Sequence, residues 1–162
     1  MELPPLYYMP SSPEISQKPL VFAGEFRPLL DGKNRVTIPA RWRPEGRFEE
    51  LYLVRSVNRG CLSAFTQEGL QAWGEKAAGQ AMSVADHEEF MNQFFALAVP
   101  SPVDSQGRMV VPDDLKKFAR LTKEAVLAGS GPKFDIWSPE LWSEQQAAIA
   151  PTFQMILKSI GL

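Results

Sequence analysis

DGKNRVTIP, at residues 31–39, returns as DSQGRMVVP at residues 104–112. Asp, Arg and Pro recur at the same internal positions, and 73 residues separate each matched pair. In both copies three strand-forming residues follow the Arg, and a Pro closes the unit. A repeat that keeps an exposed Arg together with core positions indicates a duplicated binding loop as well as a duplicated scaffold.

Each copy is predicted to form a tight turn that an aspartate shapes. Asp31 and Asp104 can accept backbone N–H groups across the turn. Asn34 and Gly107 occupy the same slot, and Asn and Gly adopt the left-handed backbone conformation at the lowest cost. Strand-like residues precede the first turn and follow Arg35, so the first copy is predicted to be a β-hairpin.

The duplication extends beyond the turns. Pro39 and Pro112 are each expected in the first turn of a helix, where a missing N–H costs nothing. A second pair of strands follows in each half, at residues 51–54 with 61–65 and at residues 125–128 with 134–137. Half-repeats of about 70 residues are marginal alone, so we expect the two to share one core.

Further helices complete each half. Ser83 is a predicted N-cap for a helix running towards Ala98, whose aromatic stripe is expected in the core or at a subunit interface. A second helix is predicted to begin at Ser138. Residues 152–160 are predicted to form a terminal amphipathic helix, which needs the domain or another subunit to cover its apolar face.

These patterns divide the chain into three parts. Residues 1–20 are a proline-rich N-terminal arm, residues 21–80 the first repeat, and residues 81–162 the linking helix, the second repeat and the C-terminal helix. The prolines of the arm forbid a continuous helix or a central strand. Two interpretations of the arm stay open, a disordered terminus or a segment that docks on a neighbouring subunit.

Composition excludes several classes of protein. The chain has 162 residues, of which 44% are hydrophobic and 22% are charged, as in ordinary globular proteins. No apolar run approaches the ~18 residues that are needed to span a bilayer. With no evident secretory signal and a single cysteine, Cys61, a cytoplasmic location is expected. Cys61 and the single histidine, His87, are too few for a zinc site, so we expect no metal. Since no catalytic constellation or phosphate loop occurs, we expect no enzyme, no cofactor and no small-molecule substrate.

Positive charge gathers around the first copy of the motif. The whole chain has a formal charge of −2, but residues 24–47 carry six Lys/Arg against three acidic residues. Lys33 and Arg35 would project from the first turn and Arg108 from the second, where Arg offers a bidentate fork to phosphate or guanine. From the residues alone, binding to DNA and internal ion pairs of Arg35 with Asp31 and of Arg108 with Asp104 are equally good explanations.

The second copy, extended through residue 119, resembles the AbrB/SpoVT swapped-hairpin motif, and two such copies in one chain resemble the MraZ family. The resemblance implies a mainly β fold with helices (α+β), a double-ψ-like swapped-hairpin (AbrB-type) barrel built from two tandem half-repeats plus packed helices. It further implies a nucleoid-associated regulator, expected to be a repressor, of a cell-division and cell-wall gene cluster. Such a regulator binds repeated promoter elements in double-stranded DNA through the basic turns of a ring-shaped homo-oligomer. The DNA-binding residues of that family correspond here to Lys33, Arg35 and Arg108.

The chain departs from the family pattern at the turns and at the arm. Asn34 replaces the usual glycine, and Gln106 stands where the first copy has Lys33, so the second loop should bind phosphate less strongly. The arm is additional to the pattern. The acidic middle of the chain and this arm favour an alternative, an oligomeric protein-interaction module of the antitoxin-like swapped-hairpin type.

Overall fold

A computed structural model describes residues 20–43, 49–80 and 83–162. The arm at residues 1–19 therefore lies outside the described residues. The elements in chain order are β1 (Glu25–Phe26), β2 (Arg35–Thr37), a 3-10 helix (Ala40–Trp42), β3 (Glu50–Ser56), β4 (Cys61–Phe65), α1 (Gln67–Ala78), α2 (Val84–Leu97), β5 (Val99–Pro102), β6 (Arg108–Val110), α3 (Asp113–Phe118), β7 (Val126–Gly129), β8 (Phe134–Trp137) and α4 (Pro139–Ser159). The expected α+β class is confirmed.

Two antiparallel sheets organise the strands. The larger has the order β1-β7-β8-β4-β3-β5, and the smaller consists of β2 and β6. A bridge between Val103 and Met109 joins the segment after β5 to the smaller sheet. The edge strands β1 and β5 do not pair with each other in the described part of the chain, so the expected barrel does not close.

Each repeat pairs its first strands with the other repeat. Strand β1 pairs with β7, and β5 pairs with β3. The prediction that the first motif forms a β-hairpin by itself is wrong. After the turn, β2 pairs with β6, and before the turn Leu30 donates its N–H to the carbonyl of Lys123. Both segments that flank the turn find their backbone partners in the second repeat, which satisfies their hydrogen bonds without a local ladder.

Aromatic side chains hold the core beneath these strands. Trp42, 1% exposed, lies with its ring centroid 5.4 Å from that of Phe22 and 5.0 Å from that of Phe134. Its indole N–H donates to the carbonyl of Ala23 at 3.0 Å, so its polar atom is satisfied inside the core. Since the same buried cluster contains residues from Phe22 to Ile136, both halves of the sequence contribute to it.

The helix predictions are confirmed in part. Ser83 and Ser138 cap α2 and α4, each accepting a backbone N–H in the first turn. Pro39 and Pro112 are N-caps with extended ψ angles and lie outside the first helical turn, because the chain must leave a β strand at that residue. The predicted terminal helix is not separate, since α4 runs without a break through Pro151, where one backbone hydrogen bond is lost.

Candidate nucleic-acid interface

The first turn is built around the carboxylate of Asp31. Its Oδ1 accepts the backbone N–H groups of Lys33 and Arg35, both at 2.9 Å, and its Oδ2 accepts the Arg35 Nε at 2.6 Å. The chain reverses through Asn34, whose φ of 58° lies in the left-handed region. The backbone N–H of Asp31 returns to the carbonyl of Arg35 at 3.0 Å and closes the turn.

The second turn repeats this arrangement bond for bond. Asp104 Oδ1 accepts the N–H groups of Gln106 and Arg108 at 2.9 Å, and its Oδ2 accepts the Arg108 Nε at 2.8 Å. Gly107 has a φ of 77° and stands where the first copy has Asn34. The shared sequence pattern therefore produces one turn geometry twice.

The antiparallel β2–β6 pairing places the two turns at opposite ends of one two-stranded ribbon. Its central pair is Val36 opposite Met109, and both side chains are completely buried. Arg35 and Thr37 on β2, with Arg108 and Val110 on β6, point to the opposite face because side chains alternate along a strand. This outer face of the two-stranded ribbon, flanked by the two turns, is the candidate nucleic-acid interface.

The structure contains the internal ion pairs that the sequence left open as an alternative. Arg35 and Arg108 each contact the aspartate of their own turn through Nε. Arg35 Nη1 also lies 4.0 Å from Asp104 Oδ2, so the two guanidinium groups approach a shared carboxylate. Their side chains remain 24% and 32% exposed, and Nε contacts hold each planar group at a defined angle. An arginine held in this way keeps its Nη donors for a further acceptor.

Hydrogen bonding also controls the charge of the turn carboxylates. The backbone hydrogen bond from Arg35, followed by those from the Arg35 side chain and the Lys33 backbone, lowers the pKa of Asp31 from 3.8 to about 2. The backbone hydrogen bond from Arg108 likewise lowers the pKa of Asp104. Both carboxylates are therefore ionised at neutral pH and hold their arginines.

The two turns differ in the residue that precedes the left-handed position. Lys33 is exposed at the first turn and Gln106 is exposed at the second, so only the first presents a lysine ammonium there. A second difference, which the sequence pattern did not predict, concerns the residues that lie behind the turns. Arg43 lies against Gly107, and Lys116 and Asp113 hydrogen-bond to the Asn34 side chain. The signal was available, since Arg43 and Lys116 stand 73 residues apart like the turns themselves.

The described residues give no support to a metal site, a reactive cysteine or a membrane-spanning helix. These residues contain no group of three or more His, Cys, Asp or Glu side chains that could hold a metal ion. Cys61 is buried, and burial raises the pKa of its thiol to about 11. No helix within residues 20–43, 49–80 and 83–162 is long and apolar enough to cross a membrane.

The cross-paired strands and the twin Asp-Arg turns define a tandem swapped-hairpin protein in a single chain. A family model described as "MraZ protein, putative antitoxin-like" matches residues 94–155. The chain is 37% identical to the transcriptional regulator MraZ of Carboxydothermus hydrogenoformans over 76% of this chain and 85% of that protein. The corresponding regulator of Thermomicrobium roseum is 35% identical over 80% and 90%, and that of Desulforamulus reducens is 31% identical over 86% and 97%. The chain belongs to the MraZ family.

Proposed function

We propose that this protein is a DNA-binding transcriptional regulator and not an enzyme, and that Lys33, Arg35 and Arg108 are its DNA-contacting residues. The observation that carries the proposal is the β2–β6 ribbon, which presents two arginines at preset angles on one exposed face. A two-stranded ribbon fits the major groove of B-DNA, where an arginine can pair with guanine or phosphate. Relatives over most of the chain carry the name transcriptional regulator, which agrees with this function.

The first turn is the stronger contact in this proposal. Lys33 adds an exposed cation beside Arg35, whereas the equivalent position of the second turn carries a neutral amide. Asp31 and Asn34 then shape the first contact, and Asp104 and Gly107 shape the second. Arg108 contributes a further guanidinium on the same face of the ribbon.

Oligomerisation is the second part of the proposal. One ribbon offers few phosphate contacts, and a chain with a formal charge of −2 needs several ribbons on one DNA to bind well. The apolar residues of α2 and of the second half of α4 support a ring-shaped homo-oligomer. Leu97 on α2, Phe153 and Met155 on α4, and the α4 C-cap residue Ile160 are at least half exposed in the single chain. Such a surface on one subunit is typical of an interface.

The proposed biology follows the family resemblance. Residues 21–80 and 81–162 act as the two repeats of one barrel-like unit, and the ring binds repeated elements upstream of a cell-division and cell-wall gene cluster as a repressor. The protein would act in the cytoplasm, associated with the nucleoid. No membrane or small-molecule substrate enters this function.

Repeat-equivalent substitutions provide the test. Lys33→Ala and Gln106→Ala remove exposed side chains from matching positions, so neither should alter the fold. In a gel-shift with the chain's own upstream DNA, Lys33→Ala should weaken binding and reduce the log–log salt slope by about 1 for each engaged subunit. Gln106→Ala should change neither. If ~2 phosphates are neutralised per ribbon over four ribbons, the wild-type slope should be about −7.

Two outcomes would count against DNA binding. An affinity that stays flat between low and moderate salt contradicts the phosphate contacts. So does unchanged DNA retention by the combined Arg35→Ala and Arg108→Ala variant at an intact oligomer size. The alternative, a protein-interaction module of the antitoxin-like type, is favoured by the exposed acidic residues Asp86, Glu88 and Glu89 on α2. Retained binding to a protein partner in the double arginine variant would support that alternative.

A further inference from the structure

Two basic residues lie behind the turns, each in contact with the turn of the opposite repeat. Arg43 follows the first motif and Lys116 follows the second, and they are separated by the same 73 residues as the motifs. Both side chains are partly buried, unlike the exposed Lys33. Their contacts differ in chemistry but occupy equivalent places.

Arg43 covers the left-handed residue of the second turn. Its Nε donates to the carbonyl of Ile38 at 3.0 Å, and its guanidinium occupies the space that a Cβ on Gly107 would need. The backbone N–H of Ile38 in turn donates to the carbonyl of Gly107 at 2.8 Å. The planar guanidinium therefore lies on the backbone where the second turn meets β2.

Lys116 holds the left-handed residue of the first turn. Its Nζ donates to Asn34 Oδ1 at 2.9 Å, and Asn34 Nδ2 donates to Asp113 Oδ1 at 2.9 Å. The backbone N–H of Val111 donates to the carbonyl of Asn34 at 2.8 Å, the counterpart of the bond between Ile38 and Gly107. Both the oxygen and the nitrogen of the Asn34 amide are thus bound by residues of α3.

We propose that Arg43 and Lys116 are positioning residues that couple the two turns, each fixing the turn of the other repeat. Both cations make their contacts inward, with backbone or side-chain oxygens of the ribbon, so they shape the turns and do not bind phosphate themselves. Replacing Arg43 should therefore disturb the turn of the second repeat and leave the turn of the first repeat intact. Replacing Lys116 should have the opposite effect. The consequence for DNA affinity rests on the proposed function, but the coupling itself is a property of the free protein.

Amide hydrogen exchange on the intact, DNA-free protein tests the coupling directly. The N–H groups of Gly107 and Arg108 report on the second turn, because they donate to the Asp104 carbonyl and carboxylate at 2.9 Å. In Arg43→Ala their exchange should accelerate about tenfold, because the second turn loses the guanidinium that covers Gly107 and fixes Ile38, whose N–H donates to the Gly107 carbonyl. Exchange in the first turn should stay unchanged. Arg41→Ala is the matched control and should affect neither turn, since Arg41 is an exposed arginine on the 3-10 helix that Arg43 caps.

The reciprocal variant is Lys116→Met, which keeps the length of the side chain and removes its ammonium. The N–H groups of Asn34 and Arg35, which donate to Asp31, should exchange about tenfold faster while the second turn keeps its protection. Lys117→Ala is the control on the same helix, since Lys117 is exposed. Acceleration confined to the variant's own repeat, or equal acceleration of both turns, would overturn the proposal.

Two further variants separate shape from charge. Arg43→Lys keeps the positive charge but lacks a flat guanidinium with an Nε donor, so it should not restore protection at Gly107. Gly107→Ala places a Cβ on the guanidinium as well as straining a left-handed residue. Combined with Arg43→Ala, it should destabilise the protein less than the sum of the two single changes. Full protection in Arg43→Lys, or strict additivity in the double variant, would contradict the proposed contact.

DNA binding then distinguishes positioning from phosphate contact. Arg43→Ala should reduce affinity without changing the salt slope, whereas loss of a phosphate contact lowers the slope by about 1. A reduced slope in Arg43→Ala would overturn the positioning role. If the wild-type protein does not bind DNA at all, the proposed function fails, while the exchange measurements still decide the coupling.

Discussion

Asp135 on β8 holds a buried charge cluster whose removal should cost several kcal/mol. Its carboxylate, 3% exposed, accepts Lys133 Nζ at 2.8 Å, Ser63 Oγ at 2.8 Å and Arg59 Nη1 at 3.0 Å. Lys133 is itself only 8% exposed. Asp135→Ala would leave that ammonium buried without a carboxylate, a change that costs about 3–5 kcal/mol. For a chain of this length the melting temperature should fall by about 6–20 °C.

Asp114→Ala is the matched control for this prediction. Asp114 accepts Arg55 Nη2 at a similar distance, 2.9 Å, but the two side chains are 68% and 44% exposed. An exposed pair of this kind contributes about 0.2–1 kcal/mol, so Asp114→Ala should cost several-fold less stability than Asp135→Ala. Urea unfolding at equal protein concentration gives both free energies of unfolding.

The double variant makes the reasoning refutable. Replacing Lys133 as well as Asp135 removes the orphaned charge, so the pair should be less destabilised than Asp135→Ala alone. Equal losses of stability in Asp135→Ala and Asp114→Ala would refute the role of burial. A double variant at least as unstable as the single one would refute the buried-charge penalty.

Three other measurements follow from the described contacts. The folded structure lowers the pKa of Asp31 from 3.8 to about 2, so the ionised carboxylate should stabilise the fold fully above about pH 4 and lose this effect as the pH falls towards 2. In a circular dichroism titration, Asp31→Asn should abolish that part of the acid transition. Gly129→Ala would place a Cβ 2.5 Å from the Phe22 carbonyl oxygen and should lower the free energy of unfolding in urea by about 1–3 kcal/mol. Gly32→Ala is the control, because its Cβ meets nothing within 4 Å, and it should change that free energy by less than about 0.5 kcal/mol. Cys61, buried and with its pKa raised to about 11, should react with a thiol reagent at pH 8 only in denaturant, and rapid labelling of the folded protein would contradict its burial.

Local chemistry made much of this fold predictable from the sequence. The caps at Ser83 and Ser138 and the hairpins of β3–β4 and β7–β8 depend on neighbouring residues, and each was found where the pattern indicated. The pairing of strands between the two repeats could not be predicted from the sequence. The residues around Asp31 fit a local hairpin and a cross-repeat ribbon equally well, because periodicity reports which face is buried and not which strand is the partner.

The candidate site shows the same division. The bonds of Asp31 and Asp104 lie within five consecutive residues, so the doubled motif was sufficient to anticipate these turns. The contacts of Arg43 with Gly107 and of Lys116 with Asn34 join residues 64 and 82 positions apart in sequence, so they depend on the tertiary fold. Only their matching spacing in the chain hinted that they belong to the turns.

The ribbon formed by β2 and β6 has a consequence for what a fused duplication can do. In a dimer of identical half-size chains, any substitution would appear on both strands of such a ribbon. Here both strands belong to one polypeptide, so repeat-equivalent positions on either side of the central pair can differ, as Lys33 differs from Gln106 and Thr37 from Val110. The surface therefore lacks exact two-fold symmetry. It can contact a DNA site differently in one orientation than in the reverse orientation.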